Sequence, residues 1–352
     1  MQVAPSQSSI LVTGAGGFVG SHVVLELLCQ DYNVIAVDNY TNCVKGDANT
    51  PVSLSRVKKL CGKDLTFYET NLTDEVALRK IFDRHQIDCV MHFAGLKAVG
   101  ESIQMPVQYY ENNVAGTLNL LQVMQKYEVS NIIFSSSATV YGPAQFLPIS
   151  ETHPTGIGLT NPYGKSKYFV EEILRDLYAS DNDWNIVLLR YFNPVGAHPS
   201  GEIGEDPSDT PNNLMPNVSR AAAKLIPFLR VFGADYDTID GTGVRDYVHV
   251  VDLARGHTAS LRKIFSKCGL KIYNLGTGNG FSVLQVVKMF EAVSGTKIEL
   301  KFEERRPGDL PSVYCDASLA EMELQWKAQY DLRQMCIDTW NWQTKSPKGY
   351  RD

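Results

Sequence analysis

From Ser9 onward, short apolar runs alternate with longer stretches in which apolar residues recur every three or four positions. Residues 10–13 form such a run, followed by glycines and a helical pattern over 21–29; the run 33–38 precedes a polar segment and a helix over 52–61. The run 65–68 leads to an amphipathic helix over 74–85, with Thr73 as its expected N-cap. Residues 88–93 lead to one long helix over about 106–127 and then to a strand over 131–135, and a helix over 162–179 precedes a strand over 185–191. Runs that are apolar at every position suit strands covered on both faces, and helices between them require parallel pairing. The pattern predicts an α/β fold with a doubly wound parallel sheet.

Beyond Phe192 the pattern loosens. Residues 193–217 hold prolines at 194, 199, 207, 211 and 216, too many breakers for one regular element. Helical stretches follow near 218–224, 251–265, 283–293 and 319–324, with short strands at 231–232, 272–273 and 298–302 between them. We expect a first domain over 9–192 and a smaller α/β C-terminal lobe over 193–352, with an interleaved boundary, closing over the carboxyl ends of the first sheet. No internal repeat or low-complexity tract is visible.

Composition narrows the partners. With 33 Lys plus Arg against 39 Asp plus Glu, the formal charge of −6 gives no general attraction to nucleic acid or anionic lipid. A chain of 352 residues buries roughly three quarters of its unfolded surface and needs no disulfide scaffold. The seven cysteines (29, 43, 61, 89, 268, 315, 336) come no closer than 14 residues apart, so no Cys-x-x-Cys pair exists and no metal site is expected. They read as thiols of a reducing compartment. Residues 1–9 lack a basic start and an apolar stretch, and no run approaches the 18 or so apolar residues that span a bilayer. A cytoplasmic protein follows as the expectation.

The string Thr13-Gly-Ala-Gly-Gly-Phe-Val-Gly20 sits between the first strand and the first helix. Gly14 allows the tight turn, Gly17 lets backbone N–H groups approach a pyrophosphate, and Gly20 permits close helix–strand packing. Asp38 ends the next strand, 18 residues past Gly20. A carboxylate there accepts hydrogen bonds from ribose hydroxyls and repels a 2′-phosphate, which favours NAD over NADP. The sheet is therefore expected to be of the Rossmann type. Gly276-Thr-Gly-Asn-Gly280 lacks a third glycine in register and reads as a structural turn capped by Ser282; Gly241-Thr-Gly243 reads as a turn presenting Arg245.

Tyr163 and Lys167 are four apart in Tyr163-Gly-Lys-Ser-Lys167 and share one helix face. A phenol titrates near 10, so serving as a base near pH 7 takes a shift of about 3 units, about 4 kcal/mol, which a nearby ammonium and a cationic nicotinamide ring could supply. Ser137 closes the serine run at the carboxyl end of the fifth strand, where a doubly wound sheet places its ligands.

At these residues the chain resembles the extended short-chain dehydrogenase/reductase family, and within it the sugar-nucleotide 4-epimerases. The resemblance runs from Ile10 to about Trp342 and rests on long strings: His92-Phe-Ala-Gly-Leu-Lys-Ala-Val-Gly-Glu-Ser102, Ser135-Ser-Ser-Ala-Thr-Val-Tyr-Gly142, Asn161-Pro-Tyr-Gly-Lys-Ser-Lys167, Arg190-Tyr-Phe-Asn-Pro194, Pro211-Asn-Asn-Leu-Met-Pro216 and Asp240-Gly-Thr-Gly-Val-Arg-Asp-Tyr247. It implies interconversion of UDP-galactose and UDP-glucose through a transient 4-keto sugar with tightly bound NAD, and a homodimer formed through the long helices over 106–127 and 162–179, where Val114, Leu118 and Leu121 suit either that interface or the sheet.

By the same resemblance Tyr163 is the base at the sugar 4-hydroxyl, Ser137 mediates its proton transfer, and Lys167 binds the nicotinamide ribose and lowers the pKa of Tyr163. Gly14, Gly17, Phe18, Val19, Gly20, Asp38, Asn39, Asn42, Asn71, Leu72, Phe93, Ala94, Gly95, Lys97 and Asn112 would line the NAD site, with Tyr191 and Phe192 near the nicotinamide. Asn193, Asn213, Leu214, Val231, Phe232, Arg245, Tyr247, Arg306, Asp309 and Val313 would hold the UDP-sugar, arginines suiting a diphosphate by their bidentate geometry.

Two positions depart from or vary within the family pattern. Asn71 stands where an Asp usually accepts from the adenine amino group; its amide oxygen can still accept. Val313, in Asp309-Leu-Pro-Ser-Val313, replaces the Tyr of members restricted to unacetylated sugars, so UDP-GlcNAc and UDP-GalNAc are expected as further substrates. A 4,6-dehydratase needs an acidic pair beside the serine, and here Ala138-Thr139 follows Ser137.

Overall fold

The structure, a computed structural model, describes residues 8–207, 211, 213–306 and 308–351. Residues 1–7, read above as part of a start without leader character, and Asn212 of the Pro211 string lie outside them. The apolar runs become β1 (Ser9–Thr13), β2 (Asn33–Asp38), β3 (Thr66–Glu69), β4 (Cys89–His92), β5 (Asn131–Ser137) and β6 (Asn185–Tyr191). Between them run α1 (Phe18–Cys29), α2 (Val52–Cys61), α3 (Glu75–Arg84), α4 (Val99–Gln104), α5 (Pro106–Tyr110), α6 (Gly116–Lys126) and α7 (Pro162–Ser180).

The sheet has seven strands in the order Leu270–Leu275, β6, β5, β4, β1, β2, β3. β1 pairs in parallel with both β2 and β4, β2 with β3, and β4 with β5. Strand order thus reverses beside β1 and β4, and the loops at their carboxyl ends border the crevice where such sheets bind ligands. The core of this unit joins sheet residues Leu11, Ile35, Val90 and Ile132 to helix residues Leu78, Leu120, Val170 and Leu174.

Several local expectations change. Asp74, not Thr73, caps α3: its carboxylate accepts from Ala77 N at 3.0 Å, while Thr73 N donates to Asn71 Oδ1 and lies in the turn before the helix. The helix expected over 106–127 is broken by a π turn over Glu111–Ala115, and α4 precedes it unforeseen. The strand seen as part of the smaller lobe, extended to Leu270–Leu275, instead lies beside β6, where Ile186 N donates to Gly269 O at 2.8 Å. A short β-rich run carries no local information about which sheet edge it joins.

Two compact units result. The first runs through Gly142 and takes in Pro154–Arg190 and Ala254–Tyr273; the second comprises Pro143–His153, Tyr191–Leu253 and the chain from Asn274 on. In the second unit Val244–His249 pairs in parallel with Asn193–Val195 and with Ser312–Val313, and antiparallel with Gly280–Ser282. Leu229–Phe232 pairs in parallel with Leu300–Glu303. Val218, Val231, Val286, Phe290 and Met335 meet in its core. The Gly276–280 segment is a structural turn as read: Thr277 N and Gly278 N donate to the buried Asp246, and Ser282 caps Val283–Ser294 in a capping box with Gln285.

Candidate active site

The loop after β1 has the geometry its glycines require. Gly14 adopts φ +67°, and a Cβ there would stand 2.7 Å from Ala94 N in the loop after β4. A Cβ on Gly20 would stand 2.2 Å from Gly14 O, so α1 seats on the loop only with glycine at that position. Gly17 precedes α1, whose N-terminus has no side-chain cap and no acidic residue in its first turn, and a Cβ there would meet nothing nearer than Gly14 O at 3.4 Å. Phe18 and Val19 are half-buried at the start of that helix.

Asp38 is buried against this loop. Its Oδ2 accepts from Gly16 N at 2.8 Å and its Oδ1 from Tyr40 N at 2.9 Å; burial pushes its pKa up while these N–H groups oppose the rise. The carboxylate therefore braces the glycine loop as well as ending β2. Asn39 accepts from Thr41 N, and Asn42 is exposed in the same segment. At the end of β3, Asn71 is exposed; its Oδ1 already accepts from Thr73 N at 3.1 Å, which leaves one lone pair for another donor. Leu72 is buried in the core.

An uncapped helix start over a glycine turn, a buried carboxylate beside it and the exposed cation Lys97 next to Phe18 (Nζ 5.9 Å from the ring centroid) make a donor set that fits a dinucleotide. Phe93, Ala94 and Gly95 continue the same rim, half-buried, where Phe93 N donates to Thr13 O and Ala94 N to Thr13 Oγ1.

Ser137 and Tyr163 meet at the carboxyl end of β5. Asn161 caps α7, accepting from Gly164 N at 2.8 Å, and Pro162 opens it, which fixes where Tyr163 and Lys167 project. Burial pushes the Tyr163 phenol up, while its hydrogen bond with Ser137 and the charge of Lys97 pull it down. Lys97 thus adds a cation that acts on the phenol besides the expected Lys167, which lies one turn along α7. Lys167 is buried, its Nζ donates to Ser135 O at 2.7 Å, and burial lowers its pKa to about 8 against the opposing influence of Glu171. A Cβ on Gly95 would lie 3.6 Å from this ammonium.

A family model described as the NAD dependent epimerase/dehydratase family matches residues 10–276. The chain belongs to that family. A UDP-glucose 4-epimerase of Homo sapiens is 55% identical over 341 residues, 97% of this chain and 98% of that protein. The crystal structure of the UDP-glucose 4-epimerase from Bifidobacterium longum in complex with NAD+ and UDP is similar at a TM-score of 0.92 and 52% identity, covering 97% of this chain and 100% of that one. The UDP-Glc/GlcNAc 4-epimerase of Campylobacter jejuni is similar at a TM-score of 0.81 and 33% identity, over 96% and 99% of the two chains.

In the second unit of this epimerase/dehydratase chain, strand pairing collects distant residues. Asn193 lies opposite Tyr247, and Val313 opposite Arg245. Arg245 Nη2 donates to Asp309 Oδ1 at 2.7 Å, Arg306 donates to Asp309 Oδ2 at 2.9 Å, and the Arg306 guanidinium lies 5.0 Å from the Phe232 ring centroid. Burial pushes the Tyr247 phenol up to about 12, against the pull of Arg245 and Arg306. The Val231 side chain belongs to the core, so its backbone alone could meet a ligand. Leu214 is half-buried behind that core and Asn213 is exposed at the start of Leu214–Ala222, donating to Glu205. Tyr191 and Phe192 are buried where β6 ends.

Two residues of the epimerase/dehydratase site escaped sequence reading. Asn113, buried in the π turn, accepts from Leu96 N at 2.8 Å and donates to Leu96 O and to Ser166 Oγ, each at 3.0 Å, tying the loop after β4 to α7. Its neighbour Asn112, the expected residue, donates to Asn113 Oδ1. His92 is buried between Thr13 Oγ1 at 2.7 Å and Thr117 Oγ1 at 2.8 Å, and burial and Lys167 lower its pKa to about 3. Two adjacent asparagines inside a helical pattern were the available signal, since such side chains seek backbone partners.

Proposed function

We propose that the chain interconverts UDP-galactose and UDP-glucose by reversible oxidation at sugar C4. The observation that carries this reading is the hydrogen-bonded Ser137–Tyr163 pair, with the buried ammonium of Lys167 one turn on, in the unit that also holds the glycine loop and Asp38. Bound NAD would supply a reversible hydride acceptor for sugar C4, so that a transient 4-keto sugar could turn and be reduced on its other face.

The chain's residues do the rest. Gly14, Gly17, Phe18, Asp38, Lys97 and Lys167 hold the dinucleotide in this reading, with Asp38 on the adenosine ribose. Tyr163 Oη accepts the 4-hydroxyl proton on oxidation and gives it back on reduction, and Ser137 relays it along their shared hydrogen bond. Cationic neighbours favour the phenolate that this requires. Arg245 and Arg306 hold the diphosphate locally, where the net charge of the whole chain decides nothing, and Asp309 fixes both guanidinium groups.

The test is conversion of UDP-galactose to UDP-glucose without added reductant, by protein that releases NAD on denaturation. Tyr163→Phe should keep the cofactor and lose turnover by about 100-fold or more. A Phe variant as active as the parent rules this mechanism out.

Three finer readings belong to the proposal. UDP-GlcNAc and UDP-GalNAc are further substrates, supported by valine rather than tyrosine at 313, beside Arg245 in register. The protein is a homodimer through α5, α6 and α7, supported by the exposure of Val107 at 76%, Leu118 at 39% and Phe169 at 41%; Leu121 lies in the core, and Val114 packs against it. Light scattering giving the monomer mass removes that reading. A cytoplasmic location is supported by the lack of any disulfide, and of any helix long and apolar enough to cross a membrane, among the described residues.

A further inference from the structure

Behind the proton-transfer residues lies a buried ion pair that none of these steps uses. Glu171 follows Lys167 by one turn of α7, as Lys167 follows Tyr163, so the three share one face. That face is keyed to the end of β5 residue by residue. Tyr163 bonds Ser137, Lys167 Nζ donates to Ser135 O, and Ser136 Oγ donates to Glu171 Oε1 at 2.5 Å. Arg190, near the end of β6, donates through Nε to Oε1 at 2.9 Å and through Nη2 to Oε2 at 2.6 Å, and its guanidinium lies 4.7 Å from the Tyr141 ring centroid. The Glu171 and Arg190 side chains are 0% and 1% exposed.

Removing two charges from water is costly, and an apolar pair of similar volume often serves stability as well or better. An apolar pair cannot place a negative charge beside a buried ammonium. Lys167 is faced by Glu171 from its own helix and by His92 from β4, which stays neutral. Glu171 is faced in turn by Arg190 from β6 and by Arg175, one turn further along α7 with Nη2 at 3.8 Å. We propose that Glu171, clamped by Arg190, is a positioning residue for epimerisation: its carboxylate, one turn beyond Lys167 on the same face, holds α7 in the register that sets Lys167 on Ser135 and Tyr163 on Ser137. This rests on the epimerase reading above.

The test compares Glu171→Gln and the double variant Glu171→Gln/Arg190→Gln with the parent, all NAD-loaded, by kcat, KM, the pH dependence of kcat and thermal unfolding. Glu171→Gln should lower kcat by about tenfold or more with KM within about twofold, the pattern of a group that acts on the chemical step. Its alkaline limb should move down by about one pH unit, because Lys167 loses the charge that opposes its burial. It should also unfold at lower temperature, since the Arg190 guanidinium is left buried without its carboxylate. In the double variant both charges are gone, so the unfolding temperature should recover while kcat and the alkaline limb stay shifted. If Glu171→Gln does not fold, the double variant decides alone. Recovery of kcat together with stability, or parental kcat and pH limb in either variant, overturns the proposal. An inactive parent sinks the epimerase reading and this one with it; an active parent with unaltered variants sinks this one only.

Discussion

Lys167 Nζ donates to the backbone oxygen of Ser135 at 2.7 Å, with the Phe134 ring centroid 4.9 Å away. The helix that carries Tyr163 is thereby bonded to the strand that carries its hydroxyl partner, Ser137, through a group whose charge depends on pH.

That charge sets the first expectation. Burial brings Lys167 down to about 8, so the ammonium is present below this value and is lost as pH rises through it. The value of kcat/KM should fall above about pH 8, and Lys167→Met should lower kcat by about 100-fold and remove that limb. A variant that keeps the alkaline limb assigns it to another group.

His92 predicts the acid side of stability. Its pKa in the folded protein is about 3 against an ordinary 6.5, so the neutral form favours folding above 6.5, and that contribution is lost as pH falls from 6.5 towards 3. The full difference is on the order of 5 kcal/mol by linkage. His92→Gln can serve both hydroxyl partners without a proton to gain, so urea unfolding at pH 5 and pH 7 should differ less for the variant than for the parent.

Asp38 predicts cofactor choice. Asp38→Asn keeps an amide oxygen for one of its two backbone donors, Gly16 N or Tyr40 N, turns its amide nitrogen on the other, and removes the negative charge at the end of β2. Discrimination of NAD over NADP should drop by about tenfold, about 1.4 kcal/mol, and the unfolding temperature should fall with the lost backbone bond. Titration of the apoprotein with both dinucleotides measures it, and an unaltered ratio removes the carboxylate from the ribose site.

Val313 predicts substrate range. Val313→Tyr adds bulk beside Arg245 and should cut turnover of UDP-GalNAc relative to UDP-galactose by about tenfold or more, because a clash rejects one substrate without improving the other. Equal retention of both activities leaves Val313 with a packing role only.

The sequence by itself determined what is local. The glycine turn, the helix that starts on it, the strand ends at Asp38 and Ser137 and the spacing of Tyr163 and Lys167 follow from periodicity, caps and backbone freedom within a dozen or so residues. α2 has the bounds its pattern predicts, Val52–Cys61. Tertiary structure decided which distant groups meet. Leu270–Leu275 joined β6, Asp74 took the cap that Thr73 was expected to fill, and Asn113 turned inward because a π turn shifts the helix phase beneath the loop after β4. Lys97 came to act on Tyr163 from the loop after β4, and Glu171 found Arg190 across 19 residues. Burial and pairing depend on which surfaces the folded chain brings together, and a run of residues carries its own period but not the identity of the neighbour that will cover it.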